Sequence, residues 1–426
     1  MNTNNKKSHP LKGRTMYIPR MSTEGASCMA AAFGSIGVDA RISPPSDSNT
    51  LAFSAKFTTG EECLPQRIVL GNFLKIINDK DFNPEKNAFL LPTSSGPCRF
   101  GQYAPLMKKI LKELKFADAV IYSPTSSDGY ESIAENTISF LRTAWRAMIV
   151  SDMLRKIKLM FRPYEKNPGS TEKLHSRALS CICNILRDES HSSALELKQL
   201  INALQEIRDQ YLELPLKEPL YSRPLIGITG EIFLRFNRYG NQDILKKLES
   251  LGAETWIADI AEWVWYTNIE EKRKLREAGK KSSFAMLKAH LRHSIQHLDE
   301  KRLQKPFAGI FSQRQEARIE TILQYSMDYL PYAQSHGEMT LNAGKAVDFY
   351  RSGCDGIIDI SPFTCMNAIV SEVIYPRLSK DHDNIPIRIF YFDGVPVDLE
   401  RDLEIFMEQV LSYRKRKKSK FDFRQD

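Results

Sequence analysis

The sequence predicts an α/β protein with two open-sheet domains and additional helical segments. Three observations predict it. Short apolar runs of strand length alternate with amphipathic helical stretches near both ends of the chain. That alternation gives way in the middle to long helical periodicity. Cysteines stand in Gly/Pro-rich loops between strand-like and helix-like runs: Gly60 to Pro65 (GEECLP), Gly96 to Tyr103 (GPCRFGQY) and Ser361 to Met366 (SPFTCM).

Taken in order, Thr15 to Pro19 (TMYIP) reads as a strand, Ser27 to Ile36 as a helix and Val38 to Ile42 as a strand. A helix follows from about Pro65 to Asn78, then a buried strand at Ala88 to Leu91. Leu106, Ile110, Leu111 and Leu114 recur at helical spacing, and Ala119 to Ser123 is strand-like again. From about Glu131 to Glu213 amphipathic helices take over, as in Leu195, Leu197, Leu200, Ile201, Leu204 and Ile207. Arg223 to Thr229 (RPLIGIT) restarts the alternation, followed by a helix from Asp243 to Leu251 that ends at Gly252 and a strand at Glu254 to Ile257. Charged helical sequence from about Asn268 to Tyr329 interrupts this second unit. It resumes with a helix at Asn342 to Gly353, a strand at Asp355 to Ile360, a helix at Ala368 to Tyr375, a strand at Pro386 to Phe392 and a last helix from about Asp398. The domain boundaries expected are a basic tail over 1–14, a first α/β domain over 15–130, a helical segment over 131–215, a second α/β domain over 216–413 with a helical insertion at about 268–335, and a basic tail over 414–426. No internal repeat of fixed period is visible.

The cysteine loops carry the chemistry. A thiolate is the soft, anionic ligand that iron–sulfur clusters use, and free N–H groups at a helix start favour it over the thiol. Cys63, Cys98 and Cys365 all precede helical stretches. Because ligands of open α/β sheets gather beyond the carboxyl ends of the strands, the three loops are expected to converge on one crevice between the domains. Burial as a small hydrophobe is the plainer reading of a single free cysteine; three loops of one kind argue against it. Cys28, on an Ala-rich helix, Cys354, beside Gly353, and the pair Cys181 and Cys183 lack such loops and are expected to pack in cores.

Composition bounds the rest. The chain has 426 residues, 42% of them hydrophobic, enough for two or three domains. Seven cysteines, an odd number, do not suggest a secreted disulfide framework. No apolar run approaches the roughly 18 residues of a membrane helix, and residues 1–14 lack a signal-peptide core, so a cytoplasmic protein without a membrane partner is expected. The net charge of +8 sits at the ends: residues 1–14 carry +4 and residues 414–426 carry +5. The nearly neutral body implies no nucleic-acid face, and the run Arg414 to Lys420 reads as a solvated, removable tail. A phosphate-binding G-x-x-x-x-G-K loop is absent, and Gly227 to Gly230 (GITG) is too short for a dinucleotide fingerprint. His290, His293 and His297 share a helical face amid Lys, Arg and Gln, and are read as solvated rather than as metal ligands.

Several longer motifs carry a resemblance: PRM (Pro19 to Met21), GEECLP, PTSSGPCRFGQY (Pro92 to Tyr103), RPYE (Arg162 to Glu165), GITGEIF (Gly227 to Phe233), HGEM (His336 to Met339) and GIIDISPFTCM (Gly356 to Met366). Over about residues 15 to 410 the chain resembles the 2-hydroxyacyl-CoA dehydratase and activase-associated family, which is related to 2-hydroxyglutaryl-CoA dehydratase and benzoyl-CoA reductase subunits. The match is closer to the carboxy-terminal part of large CoA-enzyme activases than to the dehydratase subunits. The resemblance implies two Rossmann-like domains and a 4Fe-4S cluster between them, held by cysteines matching Cys63, Cys98 and Cys365, with two ligands from the first domain and one from the second. One iron is then left open. It also implies an ATP-hydrolysing iron–sulfur activator as partner, since the chain lacks that ATPase domain, and a homo- or hetero-oligomeric assembly.

Low-potential electron transfer or reductive chemistry is the function expected. The alternatives are a 2-hydroxyacyl-CoA dehydratase or reductase component binding an acyl-CoA at the open iron, a double-cubane-cluster reductase that would recruit Cys28 or Cys354 as well, and a scaffold relative without a cluster. Glu62, Glu231 and Glu338 are acid/base candidates because each lies in a Gly-containing turn, although a helix cap or surface carboxylate is the preferred reading of each.

Overall fold

In a computed structural model of the chain, the structure describes residues 11–94, 96, 98–125, 137–331 and 337–422. Ser95, Pro97, His336, the first six residues of the expected helical segment (131–136) and the outermost parts of both tails lie outside the described residues. The chain forms two compact units: one comprises Met1–Glu62, Gln66–Ser151 and Leu179–Asn202, the other Cys63–Pro65, Asp152–Ala178 and Ala203–Asp426.

The first unit holds a four-stranded parallel sheet. Its elements are β1 (Thr15–Ile18), α1 (Thr23–Gly34), β2 (Asp39–Ile42), α2 (Ser48–Ser54), α3 (Leu64–Ile77), β3 (Asn87–Leu90), α4 (Tyr103–Glu113) and β4 (Val120–Tyr122). The strand order is β2-β1-β3-β4, with Thr15 beside both Asp39 and Asn87, and Ala88 beside Val120. Met16, Phe73 and Phe89 are fully buried at its centre, and the Phe73 and Phe89 rings lie 4.7 Å apart. Ser22 caps α1 by accepting from Gly25 N at 2.9 Å. Next come three long helices, α5 (Thr137–Phe161), α6 (Ser170–Arg187) and α7 (Ser193–Leu212), each contributing residues to both units.

The second unit repeats the topology. It contains β5 (Leu225–Gly230), α8 (Ile244–Ser250), β6 (Glu254–Ile257), α9 (Ala261–Glu277), α10 (Phe284–Gln304), α11 (Ile319–Ser326), α12 (Glu338–Arg351), β7 (Gly356–Pro362), α13 (Met366–Asp381), β8 (Ile387–Phe392) and α14 (Leu399–Asp422). The order is β6-β5-β7-β8, again all parallel. β5 and β7 are buried along their whole length, as expected of central parallel strands covered on both faces. Leu225, Trp256, Val347, Phe349, Ile357 and Leu378 form the core.

The α/β expectation holds at the level of two four-stranded parallel sheets with many helices. Several details differ. Cys63 does not follow a strand: α2 stands between it and β2. The insertion starts earlier than expected, since α9 begins at Ala261. Both expected tails shrink. Leu11 is buried, and Arg14 Nη1 donates to the carbonyls of Pro84, Asn87 and Asp118. At the other end α14 continues through the basic run to Asp422, where Lys417 donates to Asp355 Oδ1 at 3.0 Å and Arg414 Nη2 to the Ser222 carbonyl. Charge alone suggested solvent there, but buried Asp355 gives those cations a partner.

Candidate functional site

In parallel sheets of this order, ligands collect where neighbouring strands lead their crossovers in opposite directions. In the second sheet that place lies between β5 and β7. β5 ends in Gly230, whose φ is +112°. A Cβ at this position would lie 2.2 Å from the Ile360 carbonyl oxygen, so only glycine lets the two strand ends approach this closely. Glu231 N then donates to Ile360 O at 2.9 Å. β7 ends in Pro362, and after Phe363 comes Thr364 at φ +65°, a left-handed conformation costly for a β-branched residue. Cys365 follows as the N-cap of α13.

This turn aims the Cys365 sulfur at the start of α13, where the N–H groups of Asn367 and Ala368 hydrogen-bond to it and favour the thiolate. Burial works the other way and, with the charges of Glu338 and Glu231 adding to it, pushes the thiol up to about 12. Glu338 opens α12 and accepts from Ile232 N at 2.8 Å. Burial, then the neighbouring Glu231 charge, raises its carboxyl to about 8. Glu231 is raised as well, chiefly by burial, although it accepts from Phe233 N and Leu234 N. Arg235 lies in the field of both carboxylates and donates to the Gly230 carbonyl.

Behind these groups is a polar layer the sequence reading missed. Asp359 sits fully buried mid-strand, accepting from Ser361 Oγ at 2.6 Å and from Tyr375 OH at 2.7 Å. Asn342 Oδ1 accepts from Thr229 Oγ1 at 2.9 Å, while Asn342 Nδ2 and Asn367 Oδ1 are buried with no hydrogen-bond partner. A carboxylate inside the otherwise apolar GIIDIS run was the available signal, because an unpaired buried charge is too costly to be incidental.

The first sheet has its corresponding place between β1 and β3. The loop after β3 leads to Cys98, which is exposed and forms the N-cap of a short 3₁₀ turn, Arg99–Gln102, ahead of α4. Arg99 Nη1 ties this loop to the loop before Cys63 by donating to Glu61 O at 2.7 Å. Between the two loops lies an open groove of about 480 Å³ lined by Glu61, Glu62, Gln66, Arg99, Gln102 and Lys109, among others. Glu62 is a loop cap: its carboxylate accepts from Thr59 N and Gly60 N, and those bonds outweigh burial and hold it below its usual range. Cys63 is half-buried immediately before α3.

The structure therefore brings Glu231, Glu338 and Cys365 together, and makes Glu62 a loop cap. Cys63 and Cys365 belong to the second unit and Cys98 to the first, which reverses the expected division of two ligands and one. As donors, the three thiols suit a soft iron–sulfur group, since each stands at the start of a helical element. Among the described residues, no three His, Cys, Asp or Glu side chains are grouped at metal-binding spacing. Cys28 and Cys354 are buried in cores, and Cys183 lies against Cys28. Cys181, expected in a core, is exposed. His293 is held against Lys272 and the Trp265 ring. No described helix is long and apolar enough to cross a membrane. No protein-family model matches the chain, and no curated protein sequence matches it.

Proposed function

We propose that the chain is an iron–sulfur protein of the 2-hydroxyacyl-CoA dehydratase and activase-associated type, holding a 4Fe-4S cluster on Cys63, Cys98 and Cys365. Its role in this reading is low-potential electron transfer or reductive chemistry, with electrons supplied by an ATP-hydrolysing activator. The observation that carries the proposal is the repeated placement of a thiol at a helix start, for Cys98 and Cys365 in the loops after β3 and β7, the equivalent strands of two like-ordered sheets. A bound cluster would supply a reversible one-electron carrier with an iron not held by protein sulfur. The chain's own groups hold and shield it: the Asn367 and Ala368 N–H groups stabilise the Cys365 thiolate, and the left-handed turn at Thr364 aims it.

Anaerobic reconstitution with iron and sulfide tests this. About four iron and four sulfide per chain are expected, together with a brown chromophore that Cys98→Ser and Cys365→Ser each abolish. A colourless, iron-free chain overturns the reading and leaves a scaffold role.

Glu338 favours a second reading, an enzyme component acting on an acyl-CoA thioester. A carboxyl raised to about 8 keeps its proton near neutral pH beside Cys365 and can deliver it to a bound substrate. Acyl-CoA thioesters added to the reduced protein should then alter the paramagnetic spectrum, and Glu338→Gln should suppress turnover without removing iron. A spectrum unchanged by every thioester counts against this role.

A further inference from the structure

The inserted helix α10 is amphipathic in an unusual way: it exposes an apolar stripe. One side is anchored. Met286, Ala289, Asp299 and Leu303 are buried, and two contacts tie the helix to α9: Gln296 Oε1 accepts from Asn268 Nδ2 at 2.9 Å, and Arg292 pairs with Glu271. On another face Phe284 is 81% exposed, Leu287 64%, Leu291 60% and Leu298 52%. Their steps of three, four and seven residues are the a/d spacing of a coiled-coil seam, with exposed Ser294 at the missing d position. Four large apolar side chains in one line on a surface helix mark an interaction site, because isolated ones need no explanation but a continuous stripe does.

Charge selects the occupant. From Gly279 to Lys305 the exposed charged residues are Lys280, Lys281, Lys288, Lys301, Arg302 and Lys305, all basic. The two acids in that span are withdrawn: Asp299 is buried, and Glu300 is half-buried and accepts from the Trp265 Nε1–H. A second copy of this helix would set basic flank against basic flank, which opposes pairing. A bilayer surface calls for a broad apolar face, whereas this stripe is one a/d line wide.

We infer that α10 is the docking face for an amphipathic helix of another protein, with apolar residues at a and d and acidic residues at the flanking e and g positions. The inference is independent of the cluster. The test uses the full chain and a fluorescein-labelled synthetic peptide of four heptads with Leu at a and d and Glu at e and g, followed by fluorescence anisotropy. Saturable binding is expected, weakened at least about tenfold by Leu287→Ser with Leu291→Ser and by added salt. A peptide with Lys at e and g should fail to bind. The double variant changes only exposed positions, and circular dichroism checks its fold. Lys288→Glu with Arg302→Glu, both at e positions, should shift preference toward the lysine peptide, which keeps the test open if the first variant misfolds. The inference falls if neither peptide binds or both bind equally. It also falls if light scattering shows a dimer that Leu291→Ser dissolves, or if the chain instead sediments with phosphatidylserine vesicles.

Discussion

The two sheets share one strand order, yet the helix that crosses to the third strand is built on opposite electrostatics in each. In both, a glycine lets that helix press against the helix before it. A Cβ on Gly71 of α3 would lie 1.9 Å from Thr50 O of α2, and one on Gly344 of α12 would lie 2.0 Å from Ile322 O of α11. The next residue differs. Asn72 is neutral, hydrogen-bonding Thr50 Oγ1 and donating to Ser46 Oγ. Lys345 is a fully buried cation among Glu262, Glu316 and Asp348. At the helix starts, Cys63 precedes α3 while Glu338 opens α12. The same backbone packing thus tolerates a neutral or an ionic core and presents sulfur on one sheet and carboxylate on the other.

The largest expected effect comes from Lys345→Met. It takes the buried cation from Glu262 and Asp348 and leaves Glu316 with Lys156 alone, and should cost about 3–5 kcal/mol of unfolding free energy. Asn72→Leu, its counterpart, should cost less than half as much, since it leaves only hydroxyls to be rehydrated. Equal losses in chemical denaturation would mean that the ionic cluster adds nothing and the comparison fails.

Gly71→Ala and Gly344→Ala come next. Alanine ordinarily stabilises a helix interior by about 1 kcal/mol, but here the new methyl meets a backbone carbonyl. Both variants should lose about 1–3 kcal/mol. A gain in either would show that the close approach does not constrain that helix.

The smallest effect concerns acid. Asp47 caps α2, and its carboxyl is held below the usual range, first by Lys75, whose Nζ lies 2.6 Å away. A lowered acid stabilises the folded state above its ordinary pKa and loses that contribution as pH falls, so α2 should loosen between about pH 5 and 3. The corresponding α11 has Arg318 as N-cap with no side-chain capping bond and should not share this dependence. Amide exchange along the two helices compares them, and Asp47→Asn should erase the difference.

Strands were legible because β5 and β7 are short, mostly apolar runs rich in isoleucine, and helices because periods such as Ile110, Leu111 and Leu114 are regular. The repeated strand order was not, since the second sheet carries α9 and α10 between β6 and β7, and an inserted hairpin destroys any fixed sequence period. α2 was missed because its sequence, SNTLAFS, is mostly small and polar and lacks the repeated apolar spacing of the equally short α8. The cysteines could be picked from their loops; of the polar layer only Asp359 had a local signal, the carboxylate in GIIDIS, while its pairing with Tyr375 and the Asn342–Thr229 bond come from residues distant in sequence.

Thr364 has a last consequence. A β-branched residue held at φ +65° carries strain on the order of 1–3 kcal/mol, which glycine would not. Thr364→Gly is therefore a change that should raise the melting temperature while freeing the turn that aims Cys365. At this one position durability and reactivity pull in opposite directions, and a screen that rewards heat resistance alone would select against whatever the loop is shaped to do.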